Sequence, residues 1–502
     1  MGKLKNGLKS IVGSRHTVGG VMTASIIAVV VVFNAVIYAL TALFGLYTDP
    51  TEEYDLSISG NTDYLYEEAA ALGKEVKIIF CQPEDKLSLH ATGKYVQATA
   101  REFAARYDFI TIEYYNILTE ADKLIEYKGD GQLFSSSVIF ECDGNVKVVN
   151  DLKSSAGFAD FYALNASGVP DAYIGEEYIG SMIAGVLSNE HKKVYFTENH
   201  GEAADPSLGA LLLCAGYDFD QYDEDSYTVN LSKEPVPEDC DLLIISSPTT
   251  DFAKPAEGAT VRTERDRLID YLERGGNLFV TIDPYGKSLP VLEGVLASYG
   301  IEIASGLDED GQRVRYIVEE GAEAIYTDGL SFMAGYAEGG IASEIAKDMD
   351  RFGSGRVLVS QSGILKLSGD AKPLLVSSSD SVGYLGGRVA DREGGYTVAA
   401  YSETKGKDGE EGKIFVIPNI YLNASNVMIK PGASNKDFTY ALVTKLFGAT
   451  TATYGTPGIV FDTGTLDGFT MGRAGLYTAI IMAVPVALAV VGTVTIIKRK
   501  NR

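Results

Sequence analysis

Cysteine and histidine are scarce in this chain of 502 residues, with four of each. Cys81, Cys142, Cys214 and Cys240 are far apart and form no Cys-x-x-Cys pair. Neither a dithiol redox centre nor the ligand spacing of a zinc site is therefore specified. The thiols read as buried, with at most one disulfide and no framework of staples. Phosphate-binding glycines are missing as well. Gly286-Lys287-Ser288 matches the end of a P-loop, but Thr281 stands where the first glycine is required, and no other run of that type exists. The chain by itself is not expected to hydrolyse ATP, and no cofactor is specified. There is no nucleophile elbow or oxyanion motif, and Cys214 falls inside an apolar helical segment rather than at a strand–helix turn. Positive charge is also short: 43 Lys and Arg against 68 Asp and Glu, a net −25. Such a surface repels nucleic acid and anionic headgroups.

Two uncharged apolar stretches bracket the chain, at residues 18–47 and 474–497, with Asn34 as the one strongly polar residue of the first. As helices they would reach roughly 45 and 36 Å, enough to cross a hydrocarbon core of about 30 Å. Lys3, Lys5, Lys9 and Arg15 precede the first; Lys498, Arg499, Lys500 and Arg502 follow the second. Basic flanks stay cytoplasmic. The expectation is a two-pass protein of the cell membrane, with cytoplasmic tails at 1–17 and 498–502 and a large extracytoplasmic part between. The first stretch is about twice as long as a signal-peptide core and lacks an Ala-x-Ala site, so it reads as an uncleaved anchor. Taking the eight basic residues of the tails out of the balance leaves the part between at about −33. That part is too long for one ordinary core, so two or more domains are expected.

Alternation of apolar runs places them. Residues 54–165 read as helix, strand, helix, strand and then a hairpin around Asp143-Gly144. That is the order of a small thioredoxin-like α/β domain. Residues 178–447 read as strands alternating with helices, the pattern of right-handed βαβ units and a doubly wound sheet. An irregular Gly- and Ser-rich stretch at about 305–410 interrupts them as an insertion with its own strands. Residues 448–473 read as a linker into the second anchor. The fold class expected is α/β.

Ligands of open α/β sheets bind beyond the carboxyl ends of the strands. Glu198, His200, Glu202, Ser246, Asp283 and Tyr285 fall there and are the candidate ligand- or partner-binding residues. A histidine flanked by two glutamates, with Asp283 on a neighbouring strand end, is chemistry suited to general acid–base work. The competing reading, and the favoured one, is that these residues satisfy turns and cap helices. No residue is assigned a catalytic or metal-binding role.

Several segments resemble one family. Tyr54-Asp-Leu-Ser-Ile-Ser59, Lys193-Val-Tyr-Phe196 with His200-Gly201-Glu202, and Asp241-Leu-Leu-Ile-Ile245 are among them. So are Asp270-Tyr-Leu-Glu-Arg-Gly-Gly-Asn-Leu-Phe-Val280 with Asp283-Pro284, Leu296-Ala-Ser-Tyr-Gly-Ile301 and Asn435-Lys-Asp-Phe438. Together they resemble the GldG-like, gliding-motility-associated auxiliary components of bacterial ABC-type transport systems. Asn199 departs from the glycine usual before His-Gly-Glu in that family. The resemblance implies a non-enzymatic membrane subunit working with a separate ABC ATP-binding subunit and a multispanning permease. It also implies a flavodoxin- or glutamine-amidotransferase-like main domain without that enzyme class's catalytic residues. Two other readings remain: an ectoenzyme of hydrolase type using His200, Glu202 and Asp283, and a surface binding protein independent of any transporter.

Overall fold

The computed structural model describes residues 58–59, 63–87, 93–128, 132–150, 172–188, 190, 192–203, 206–218, 227–254, 262–304, 306–351, 355–406, 409–428, 432–449, 456, 459–460 and 498. Both apolar stretches, 18–47 and 474–497, lie outside these residues. Among the described residues, no helix is long and apolar enough to cross a membrane. The chain divides into Met1–Asp55 with Leu466–Arg502, and Leu56–Thr465. The elements below belong to the second unit, which is of mixed α/β class.

Helix α1 (Tyr64–Leu72) stops at Gly73, whose φ of +66° is the left-handed cap that glycine adopts without strain. Strand β1 (Val76–Phe80) follows. Helix α2 (Gly93–Arg106) buries Val96, Ala100 and Phe103 on one face. Strand β2 (Ile110–Tyr114) runs parallel to β1, whereas β3 (Val138–Cys142) is antiparallel to β1 and β4 (Asn145–Val149) antiparallel to β3. The sheet order is β2-β1-β3-β4. Asp143 and Gly144 both have positive φ, the signature of a two-residue hairpin turn matched to strand twist.

A short strand β5 (Ala172–Tyr173) leads into α3 (Gly175–Leu187), in which almost every residue is buried. A helix apolar all round must be covered all round. Gly180 and Gly185 permit this: a Cβ there would stand 2.8 Å from the Tyr66 hydroxyl and 2.7 Å from Lys147 Cε. One core cluster runs from Ile78, Phe80 and Phe103 through Ile179 and Ile183 to Leu242 and Ile244.

The main sheet begins with β6 (Lys192–Thr197). Helix α4 (Pro206–Cys214), β7 (Tyr217–Asp218), β8 (Thr228–Val229), β9 (Leu242–Ser246), α5 (Glu264–Glu273), β10 (Leu278–Thr281) and α6 (Pro290–Ser298) follow. Strands β7 and β8 pair parallel with β6, β6 with β9, and β9 with β10. All of β9 and β10 is buried, as expected of parallel strands covered on both faces. Side chains alternate between two cores: Leu242, Ile244 and Phe279 face α3 and α4, whereas Leu243, Ile245, Leu278 and Val280 join Leu268, Leu272, Leu292 and Leu296 of α5 and α6.

The stretch 305–410 behaves differently from an inserted module. Strand β11 (Ile301–Ile303) precedes it; within it lie β12 (Arg315–Glu319), β13 (Ser331–Tyr336), α7 (Gly340–Arg351), β14 (Val357–Ser360), β15 (Leu365–Leu367), β16 (Lys372–Val376), β17 (Ser381–Leu385), β18 (Arg388–Asp391) and β19 (Thr397–Lys405). Strand β20 (Glu411–Ile417) returns parallel to β10, and β19 covers its other edge in antiparallel register. The sheet then continues through β16 and β13 to β14, so its path is β14-β13-β16-β19-β20-β10-β9-β6-β7. An uncovered β20 edge would leave a row of unpaired peptide groups, and these strands satisfy it. Only β12, β17 and β18 form a sheet of their own.

Helix α8 (Asn435–Phe447) ends at Gly448, φ +68°. The stretch 448–473 is anchored at its start: β21 (Ile459–Val460) pairs with β5, and Lys436 Nζ donates to the Thr456 carbonyl at 2.8 Å. Lys436 also pairs with the buried Glu177 of α3, which accepts from the Tyr440 hydroxyl at 2.5 Å.

Candidate functional site

Strand β6 runs out at Thr197 and the chain turns sharply through Glu198-Asn-His-Gly-Glu202. Asn199 and Gly201 take φ of +83° and +71°. At Gly201 a Cβ would stand 2.2 Å from Thr249 Oγ1, so glycine is required by space as well as by backbone angle. The turn is stitched to the loop after β9. Thr249 and Thr250 N–H donate to the His200 carbonyl at 2.8 and 2.9 Å, and Ala203 N–H donates to the Ser246 carbonyl at 2.9 Å. Ser246 is buried; Ser247 takes φ +48°, and its hydroxyl lies 2.9 Å from Thr281 Oγ1 on β10.

These links bury His200, which is 3% exposed. Its Nδ1 is 3.1 Å from Glu202 Oε1, and its Nε2 is 3.2 Å from Glu264 Oε2 at the first position of α5. The ring stacks on Phe252 with centroids 4.0 Å apart and planes 15° apart. The carboxylates are held in turn: Glu202 Oε2 accepts the His200 N–H at 2.7 Å, and Glu264 Oε2 accepts the Ala253 N–H at 2.5 Å. Burial works against a charged imidazole, but the hydrogen bonds and charges of Glu202 and Glu264 outweigh it and hold the His200 pKa above its ordinary value. Burial likewise opposes the Glu202 charge, and the bonds from His200 and backbone N–H groups hold that carboxyl below its ordinary value. The group is a buried imidazole clamped between two carboxyl groups, with both ring nitrogens committed.

Asp283 and Tyr285 sit at the end of β10, in a separate group. Asp283 Oδ1 accepts the Tyr285 N–H at 2.9 Å, and the Asp283 carbonyl accepts from Arg313 at 3.1 Å. Arg313 is paired with Glu293. The Tyr285 ring lies 5.4 Å from that of Tyr316, which stacks on Tyr384 at 5.6 Å and 27°. Burial, aided by nearby acidic groups, pushes the Tyr285 phenol up to about 12.

The six candidate residues thus divide. Glu198, which accepts from Asn230 Nδ2 at 3.1 Å, lies with His200, Glu202 and Ser246 at the β6 and β9 ends. Asp283 and Tyr285 belong to the other group, and no hydrogen bond among the described residues joins Asp283 to His200. The expected His200–Glu202–Asp283 constellation is corrected on this point: the third member is Glu264. In the sequence Glu264 is only the first residue of a helix behind Thr263, so nothing local marks it as a histidine partner. Tyr316 and Tyr384 were also missed, because their pairing spans the β12–β17 register. Among the described residues, no group of three or more His, Cys, Asp or Glu side chains is placed to hold a metal ion.

Fold and site together define a mixed α/β protein with a sealed histidine–carboxylate clamp and a neighbouring cluster of tyrosines. No family model and no curated protein matches the chain. Among solved structures it is similar to the mmIFT52 N-terminal domain, at 13% identity over 51% of this chain and 96% of that one, with a TM-score of 0.34. It is also similar to a ThuA-like protein from Bacteroides uniformis, at 12% identity over 51% of this chain and 89% of that one, with a TM-score of 0.28. PurLQS from Thermotoga maritima shares 11% identity over 50% of this chain and 98% of that one, with a TM-score of 0.24. Each spans about half of this chain, and at these scores none assigns it a family.

Proposed function

We propose that the chain is a non-catalytic, membrane-anchored auxiliary subunit of an ABC-type exporter. In this reading residues 18–47 and 474–497 are its two membrane helices. The unit between them lies outside the cell membrane and binds substrate, envelope or partner subunits. Its small sheet would be a thioredoxin-like domain without redox chemistry, and its main sheet a doubly wound domain of flavodoxin or glutamine-amidotransferase type. The ATP-binding subunit and the multispanning permease would be separate chains.

One observation carries the non-catalytic part: both nitrogens of the His200 ring are bonded to carboxylates within a buried site. A general base must present a free nitrogen to a substrate proton, and this one has none to present. The family resemblance over the segments around His200, Gly276 and Asn435 supports the transporter assignment.

Co-purification from native membranes in mild detergent tests it. An ATP-binding protein and a polytopic permease should accompany the tagged chain in fixed ratio. Recovery of the chain alone, from membranes in which the cross-linked complex is also absent, would falsify the assignment. A His200→Gln variant that folds should keep transport function; its loss without loss of folding would restore the ectoenzyme reading.

A further inference from the structure

Several large apolar side chains of residues 178–447 are exposed: Val389, on β18 of the three-stranded sheet, is 43% exposed, and Ile420 and Tyr421, just past the end of β20, are 37% and 36%. Tyr316 and Tyr384 face each other across β12 and β17, and Tyr384 pairs with Val389 across β17 and β18. They form one row on one face of that sheet, because directly opposed residues share a face. Tyr285 continues the row from the end of β10. The hydroxyls of Tyr285, Tyr316, Tyr384 and Tyr421 make no hydrogen bond to any described residue. The rings of Tyr285, Tyr316 and Tyr384 are half-buried rather than sealed, so water can reach their hydroxyls.

The charge around the row is acidic. Asp283, Asp328, Tyr316 and Tyr421 all lie within electrostatic reach of the Tyr285 hydroxyl. Asp283 and Asp328 each spend one carboxylate oxygen on a backbone N–H, of Tyr285 and Leu330. Their second oxygens have no described partner. The arginines before and at the start of β12 are already matched, Arg313 with Glu293 and Arg315 with Asp391. The chain as a whole carries a net −25.

We infer that this tyrosine row, with Asp283 and Asp328 at its border, is a docking surface for an arginine-bearing segment of a partner protein. A guanidinium is planar, stacks on aromatic faces and offers a fork of donors to a carboxylate, so it uses both features at once. An ammonium uses the charge and fits the ring stack and fork less well. The surface names the chemistry of the partner that the proposed binding unit would take, and it rests on that unit being a binding module.

The test uses the purified full chain in detergent and two fluorescein-labelled peptides of equal length and charge, one of alternating Arg and Gly, one of alternating Lys and Gly. At physiological salt, anisotropy should show the Arg peptide binding about tenfold tighter than the Lys peptide. Tyr316→Leu with Tyr384→Leu should remove most of that preference while net charge stays the same. Tyr421→Ala, at an exposed loop position, serves as a second variant that does not disturb the sheet and should weaken the Arg peptide by a few fold. Equal binding of the two peptides, or an Arg preference unchanged in both variants, overturns the inference and leaves only bulk charge attraction. Competition by a neutral N-acetylglucosamine hexamer at the same rings overturns it in favour of a glycan. Because no transporter subunit enters this assay, its failure leaves the exporter reading standing, and a failed co-purification leaves this result standing.

Discussion

The His200 clamp lies at strand ends of the main sheet and the tyrosine row on the separate three-stranded sheet, yet one is sealed and the other half-buried. Around His200 each polar group has a partner: the imidazole has two carboxylates, each carboxylate a backbone N–H, and the ring a stacked Phe252. Around Tyr316 and Tyr384 the rings stack and the hydroxyls go unused. Buried charge is tolerated only when fully compensated, so the clamp reads as a joint between the β6 turn and α5. Water can serve a half-buried phenol, so the row carries no such obligation and remains available to a partner.

Removing the joint should cost most. His200→Ala leaves two buried carboxylates facing each other across an empty ring site. Urea unfolding should register a loss of about 3–5 kcal/mol, the usual penalty for orphaning a buried charge. A loss below about 1 kcal/mol would mean that the clamp is solvated and unlike the closed site described. Gly201→Ala should come next, since it forces a side chain onto Thr249 at a left-handed φ. A destabilisation of about 1–3 kcal/mol in the same assay is expected, and Gly201→Asn, which relieves only the backbone part, should recover little of it.

pH separates the two regions without mutation. The His200 pKa is raised from 6.5, so its stabilisation is full below the unfolded-state value and is lost as pH rises through the folded one. The Glu202 pKa is lowered from 4.5, so its contribution is present above the unfolded-state value and is lost as pH falls through the folded one. Thermal unfolding of the wild type should therefore be most resistant between these two ranges. His200→Gln should flatten the alkaline decline, and an unchanged alkaline limb would remove His200 as its source.

Least should happen at the open site. Tyr384→Phe deletes a hydroxyl with no described partner and should shift stability by less than about 0.5 kcal/mol. Tyr440→Phe deletes one that donates to the buried Glu177 and should cost about 1–3 kcal/mol. Equal costs for the two in thermal unfolding would mean that the two hydroxyls are held alike.

Much of the architecture is readable from residue order. Gly73, Gly216, Gly275 and Gly300 end helices or start turns where positive φ is needed, and all four take it. The apolar run of β9 announced a parallel strand covered on both faces, and Asp143-Gly144 announced its hairpin. The proximity of His200 and Glu202 was readable too, because they are two residues apart in one turn. Glu264 was not, since only the packing of α5 against the β6 turn brings its carboxylate to Nε2.

The stretch 305–410 shows the same boundary at larger scale. Its strands are short, and their alternation marks them as strands without saying which edge they join. That choice belongs to β20, whose free edge needs a long antiparallel partner and finds it in β19. Strands β5 and β21 are two residues each, too short to carry a period, and their pairing depends on where α3 and α8 lie.

Local chemistry, then, decided where this chain turns, caps and alternates, because φ preference and burial period act within a few residues. That Glu264 meets His200, which tyrosines line up, and which strand closes the β20 edge were decided by the packed molecule. Those contacts join residues remote in sequence, and no short-range preference encodes their meeting.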